Sequence, residues 1–164
     1  MKTIIFLDID GVLCTYNEYM RARHKFWKKY DLANQLKLPY EFNAVCVRVL
    51  NEILTLTNAE IVLSSDWRTE WNLQELDNIF KFNKVIKSPI DVTEVCPTSI
   101  SNYAKNRAHE IDIYVQNHPT IEKFVVIDDL DLKPYVPEGT FIRTIEREGI
   151  KQSGIKDKIL KIML

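Results

Sequence analysis

The chain has 164 residues, 46% of them apolar and 27% charged, which suits one compact domain with a sizeable core. Lys and Arg number 22 against 23 Asp and Glu; the resulting net charge of −1 excludes the general basic surface of an obligate nucleic-acid binder and leaves only a local basic groove open. Cys14, Cys46 and Cys96 are widely spaced, odd in number and without metal-ligand spacing, so the expectation is a soluble cytoplasmic protein with neither a disulfide frame nor a zinc site.

The first predicted element is the apolar run ending at Leu7, which Asp8 and Asp10 cut off at once. It is too short for a signal peptide or a membrane span and reads as a buried strand. The stretch Phe6-Leu7-Asp8-Ile9-Asp10-Gly11-Val12-Leu13 delivers two carboxylates, one residue apart, into a tight turn assisted by glycine. Such a pair can divide labour: Asp8 as nucleophile toward phosphorus, Asp10 as the acid that protonates the leaving oxygen and the base that then activates water. A calcium loop is the competing reading, but it needs oxygen donors after the glycine, where Val12, Leu13 and Cys14 stand.

Between Leu13 and Val45 there is room for a small helical insertion at about 15–40, with one or two helices near Asn17 to Leu36. It carries the main basic cluster: Arg21, Arg23, His24, Lys25, Lys28 and Lys29, interleaved with Phe26 and Trp27. This segment reads either as a solvated helix with its aromatics on the core or as a stacking rim for single-stranded nucleic acid. A helix follows, with Val45, Val49, Leu50, Ile53 and Leu54 on one face, and then a strand from Ile61 to Leu63. That strand ends at Ser64-Ser65-Asp66-Trp67-Arg68. Hydroxyls at a strand end can hold phosphoryl oxygens, so Ser64 is the expected phosphate ligand with Ser65 beside it. Ser65 or Asp66 can instead cap the next helix, and Trp67 and Trp71 read as core residues.

A helix with Leu73, Leu76, Ile79 and Phe80 on one face comes next, then a short apolar stretch near Val85 and Ile86 that reads as another strand. Lys105 and Arg107 open a helix continuing through Ile111, Tyr114 and Val115, and one of them is expected to supply the cation that phosphoryl chemistry requires, Arg107 before Lys105. The strand Phe124 to Ile127 ends at Asp128-Asp129-Leu130-Asp131, hard oxygen donors suited to Mg²⁺, with Asp128 the first candidate, Asp129 the second and Asp131 the third. A strand at Phe141 to Ile142 and a closing helix over Asp157 to Leu164 complete the chain.

Strands alternating with amphipathic helices predict a single α/β domain over 1–164, a Rossmann-like three-layer sandwich with a central parallel sheet. Strand ends of such a sheet share one edge, so Asp8, Asp10, Ser64, Ser65 and Asp128 should converge there.

In this order, strand-DxDGV, strand-Ser, a basic residue on a helix and strand-DD, the motifs of residues 6–131 resemble the haloacid dehalogenase (HAD) superfamily of phosphatases. The resemblance implies a HAD-like fold with a minimal cap. It also implies an aspartyl-phosphate on Asp8, Asp10 as acid and base, Ser64 on phosphate, and Mg²⁺ held by the Asp8 carboxylate, the Asp10 main-chain carbonyl and Asp128. Its third motif commonly carries Lys, where this chain has Arg107. The segments SSDWR, RAHEI and VVIDD are most similar to the small HAD domains associated with RNA-repair proteins. The short insertions leave the site open, which fits a phosphorylated substrate on a bulky partner such as a nucleic-acid end, and no apolar run reaches membrane-spanning length, so no membrane partner is expected. A phosphotransferase acting on a small metabolite and a non-catalytic HAD-like binding module are the alternatives. The intact Asp8 and Asp10 pair weighs against the second.

Overall fold

The computed structural model describes residues 2–15, 41–96 and 102–164. The expected insertion at about 15–40, with its basic cluster and Trp27, lies outside the described residues except for Thr15.

Five strands form one parallel sheet in the order β3-β2-β1-β4-β5: β1 (Lys2–Leu7), β2 (Glu60–Leu63), β3 (Pro89–Val92), β4 (Ile121–Asp128) and β5 (Phe141–Arg143). The described helices are α1 (Ala44–Thr57), α2 (Leu73–Phe82), α3 (Tyr103–Asn117) and α4 (Ile155–Met163). From β1 the chain winds outward through α1 to β2 and through α2 to β3. It then returns across α3 to β4, on the other side of β1. The right-handed rule for parallel crossovers puts helices made on the outward and return legs on opposite faces, and the packing follows it. Ile5, Leu7, Ile61, Leu63, Val125 and Ile127 share a core with buried residues of α1, α2 and α4. Ile4, Phe6, Val62 and Val126 alternate with them and pack on Ala108, Ile111 and Tyr114 of α3. Both faces of the central strands are therefore covered, which is why those strands read as unbroken apolar runs. The reversal of strand order falls at β1, flanked by β2 and β4.

Local chemistry sets the helix ends. Asn43 caps α1 by accepting from the Val45 and Cys46 amides, and Asn72 with Glu75 forms a reciprocal capping box on α2. Asn102 caps α3 through the Lys105 amide. Among the described residues no helix is long and apolar enough to cross a membrane.

Two expected details shift. Val85 and Ile86 are not a strand: the Val85 amide closes the end of α2 on the Phe80 carbonyl, and its buried side chain joins the core. The next strand starts at Pro89, whose missing N–H is tolerated because β3 is the sheet edge. On α1 the buried face holds Cys46, Val47, Leu50, Ile53 and Leu54, while Val45 is exposed.

Candidate active site

The strand ladder runs one residue beyond the apolar segments. The Asp8 amide donates to the Ile127 carbonyl, the Ser64 amide to the Leu7 carbonyl and the Thr93 amide to the Leu63 carbonyl, each at 3.0 Å. Asp8, Ser64 and Asp128 are thereby fixed at adjacent positions on the carboxyl edge of β1, β2 and β4, at the point where strand order reverses. Asp8 continues the alternation of Ile4 and Phe6, so its side chain turns toward α3.

From α3 comes Arg107, buried like Asp8 and Asp128. One of its nitrogens, Nη1, lies 2.9 Å from Asp128 Oδ2 and 3.2 Å from Asp8 Oδ1, while Nη2 bonds the exposed Asp66 carboxylate at 2.9 Å. Burial disfavours the guanidinium's charge, but Asp8, Asp128 and Asp66 outweigh it and hold the group firmly protonated. Lys105 lies two residues earlier, roughly 200° around the helix, and is exposed.

Asp8, Asp128 and Asp129 each offer a carboxylate oxygen within 4.8 Å of the others. Burial and then Asp128 push Asp8 well above the usual carboxylate range, against the opposing pull of Arg107 and of hydrogen bonds from Ser65 and the Ile9 amide. Burial likewise raises Asp128, opposed by Arg107 and by the Leu130 amide, which donates to its Oδ1 at 2.9 Å. Burial and Asp128 bring Asp129 up to about 6. One guanidinium against three acids leaves the cluster short of positive charge, and the donor set is all oxygen. Both features fit a hard divalent cation. Asp131, by contrast, is exposed, 3.6 Å from the Arg143 guanidinium.

The turn after β1 is tight: the Ile9 carbonyl accepts from the Val12, Leu13 and Cys14 amides, and the Gly11 amide donates to the Cys14 carbonyl at 2.8 Å. Gly11 has φ +76°, and a Cβ there would sit 2.6 Å from the Asp129 carboxyl carbon. Glycine is thus required twice, by backbone conformation and by the approach of the DD loop. Thr144, buried at the end of β5, donates to the Gly11 carbonyl at 2.9 Å and holds the two loops together.

Ser64 and Ser65 are both buried and play different parts. Ser65 bonds Asp8 and caps the 3-10 turn Asp66–Thr69 through the Trp67 amide. The Ser64 hydroxyl has no hydrogen-bond partner among the described residues. A buried hydroxyl left so costs about 1–3 kcal/mol, so its position at the strand end suits an incoming oxygen. Asp10 lies one turn out from Asp8, half-buried, with Trp67 Nε1 donating to its Oδ2 at 2.9 Å.

Several supporting contacts escape a reading of the sequence. Trp67, expected in the core, is buried there and also bonds Asp10. Arg68 forms a buried ion pair with Glu110 and donates to the Ser65 carbonyl at 2.8 Å, tying the serine turn to the helix that carries Arg107. Glu110 also accepts from the Cys96 amide at 3.0 Å. Only the i, i+3 spacing of Arg107 and Glu110 on a face shared with Ile111 and Tyr114 signals this in advance. Thr144 carries no sequence signal at all.

Residues 4–155 match the family described as HAD domain in Swiss Army Knife RNA repair proteins. No curated protein and no solved structure matches the chain. The parallel sheet with helices on both faces, and a match spanning nearly its whole length, lead to one assignment: the chain belongs to the haloacid dehalogenase superfamily, within the HAD domains of Swiss Army Knife RNA repair proteins.

Proposed function

We propose that this protein is a Mg²⁺-dependent phosphomonoesterase that works through an aspartyl-phosphate on Asp8. The observation that carries the reading is the placement of Asp8: it ends the central strand at the reversal of strand order, within reach of one buried guanidinium and two further carboxylates. No solvated turn needs that company.

In the reaction, a carboxylate oxygen of Asp8 attacks phosphorus in line with the ester oxygen. The P–O ester bond breaks as Asp10 gives its proton to the departing alkoxide. Asp10, now ionised, takes a proton from water, and the hydroxide attacks the same phosphorus, releasing inorganic phosphate and regenerating Asp8. Ser64, Ser65 and Arg107 orient the phosphoryl oxygens and offset their charge. Lys105, exposed two residues from Arg107, serves at most as an outer cation. The Asp8, Asp128 and Asp129 carboxylates and the Asp10 carbonyl would hold Mg²⁺, which supplies charge neutralisation for the phosphoryl oxygens and keeps Asp8 ionised.

The family description names RNA repair, which supports a phosphorylated nucleic-acid end as substrate. The test is phosphate release from 3′- and 5′-phosphorylated oligonucleotides, nucleotides and sugar phosphates, with Mg²⁺ and with chelator. Mg²⁺-dependent release favouring oligonucleotide ends supports the reading. Preference for a small phosphoester changes the substrate, and silence throughout leaves the binding-module alternative standing.

A further inference from the structure

The general acid must present one carboxylate oxygen to the leaving group, yet Asp10 sits on a turn beyond the strand, where the sheet ladder does not fix it. What fixes its side chain is the indole of Trp67, which donates from Nε1 to Asp10 Oδ2 at 2.9 Å. That indole is itself immobilised. Its backbone lies in the 3-10 turn Asp66–Thr69, capped by Ser65. Its ring packs edge-on to Phe42 at 5.8 Å, and Phe42 packs edge-on to Phe80 of α2 at 5.3 Å. Trp67 is only 9% exposed, and a tryptophan has one polar atom, a donor. The aromatic row therefore aims a single N–H at Asp10 from a rigid base.

We propose that Trp67 is a positioning residue for proton transfer: by engaging Oδ2 of Asp10 it reserves Oδ1 for the leaving oxygen. This rests on the phosphomonoesterase reading above and adds to it a residue that never touches the substrate. Engaging one oxygen removes the side chain's rotational ambiguity, and alignment of this kind is what separates a positioned acid from a nearby one. The consequence depends on the leaving group. An alkoxide needs the proton as the P–O bond breaks, whereas 4-nitrophenolate departs without it. Loss of positioning should therefore slow transfer from an alkyl ester and spare transfer from the aryl ester.

The test compares wild type and Trp67→Phe with Mg²⁺ on a 5′-phosphorylated oligonucleotide and on 4-nitrophenyl phosphate, reading kcat/KM, which reports the steps through phosphoryl transfer to Asp8. The expected result is a loss of roughly tenfold to a hundredfold on the oligonucleotide and little change on 4-nitrophenyl phosphate. Equal losses on both substrates, or no loss on either, overturn the positioning role while leaving the phosphatase reading intact. A wild-type protein that releases phosphate from neither, nor from any other phosphoester of the panel above, overturns both. A second measurement does not require the Trp67 variant to fold: the three indole Nε1–H resonances of the protein, compared with those of Asp10→Ala. A marked shift of one of them supports the contact, and three unmoved resonances overturn it.

Discussion

A single nitrogen of Arg107 donates to Asp128 at 2.9 Å and lies in ion-pair contact with Asp8 at 3.2 Å, so the two carboxylates at the ends of β4 and β1 share one buried positive charge. Arg107→Ala removes that charge and leaves the acids facing each other. Breaking one side of a buried ionic cluster costs about 3–5 kcal/mol, and the loss should be largest without metal and smaller with Mg²⁺. Thermal unfolding with chelator and with Mg²⁺ measures both. Arg107→Lys should retain the fold and lose activity through the altered hydrogen-bond geometry.

The acids set a pH dependence whose sign is opposite to that of ordinary salt-bridged carboxylates. Burial raises Asp8 and Asp128, and burial with Asp128 brings Asp129 to about 6. The folded state then binds protons more tightly than the unfolded chain. Stability from these groups is complete below the unfolded carboxylate pKa of about 4 and is lost as pH rises toward and through 6. Metal-free protein should therefore lose thermal stability between about pH 4 and pH 7. The stabilisation added by Mg²⁺ should grow over the same interval, because the ion competes with those protons. Unfolding midpoints across that range, with and without Mg²⁺, give the comparison; an Mg²⁺ increment that shrinks with rising pH contradicts it.

Gly11→Ala combines a left-handed backbone with a Cβ placed 2.6 Å from the Asp129 carboxyl carbon. The expected cost is about 2 kcal/mol or more. Mg²⁺ affinity should weaken as well, because Asp129 must move aside. Isothermal titration with Mg²⁺, beside denaturant unfolding, separates the two effects: a variant that is destabilised but binds Mg²⁺ normally shows that Asp129 is not a ligand.

Arg68 and Glu110 are an internal brace, with side chains 4% and 6% exposed. Glu110→Leu or Arg68→Met alone strands a buried charge and should cost about 3 kcal/mol or more. The double variant should recover much of that loss, since an apolar pair replaces an ionic one. Equal stability of the double variant and the worse single variant would falsify the brace.

How far the sequence speaks follows from where each contact lies along the chain. The strands β1, β2 and β4 are legible because a strand buried on both faces is a short apolar run, and its polar stop marks the carboxyl edge of the sheet: Asp8, Ser64 and Asp128. The Val85–Ile86 pair imitates such a run, but Val85 plugs the core behind α2 while Ile86 is exposed, a distinction that only packing supplies. Arg107 is separable from Lys105 by helix phase, because Ile111 and Tyr114 on the buried face lie four and seven residues after Arg107. Trp67 and Asp10 are 57 residues apart, and their contact depends on the exit angle of a 3-10 turn. Thr144 reaches Gly11 only because β5 lies beside β4. Such contacts are products of the fold and leave no local pattern in the chain.

The central claim is that Asp8 is the nucleophile. The direct measurement is to quench the Mg²⁺-loaded protein during turnover of a phosphorylated oligonucleotide and map any phosphorylated peptide by mass spectrometry, with Asp8→Asn as control. The account predicts a phosphoryl group on the peptide carrying Asp8, absent from a folded and inactive Asp8→Asn. A phosphoryl group on another residue, or undiminished turnover by Asp8→Asn, contradicts it.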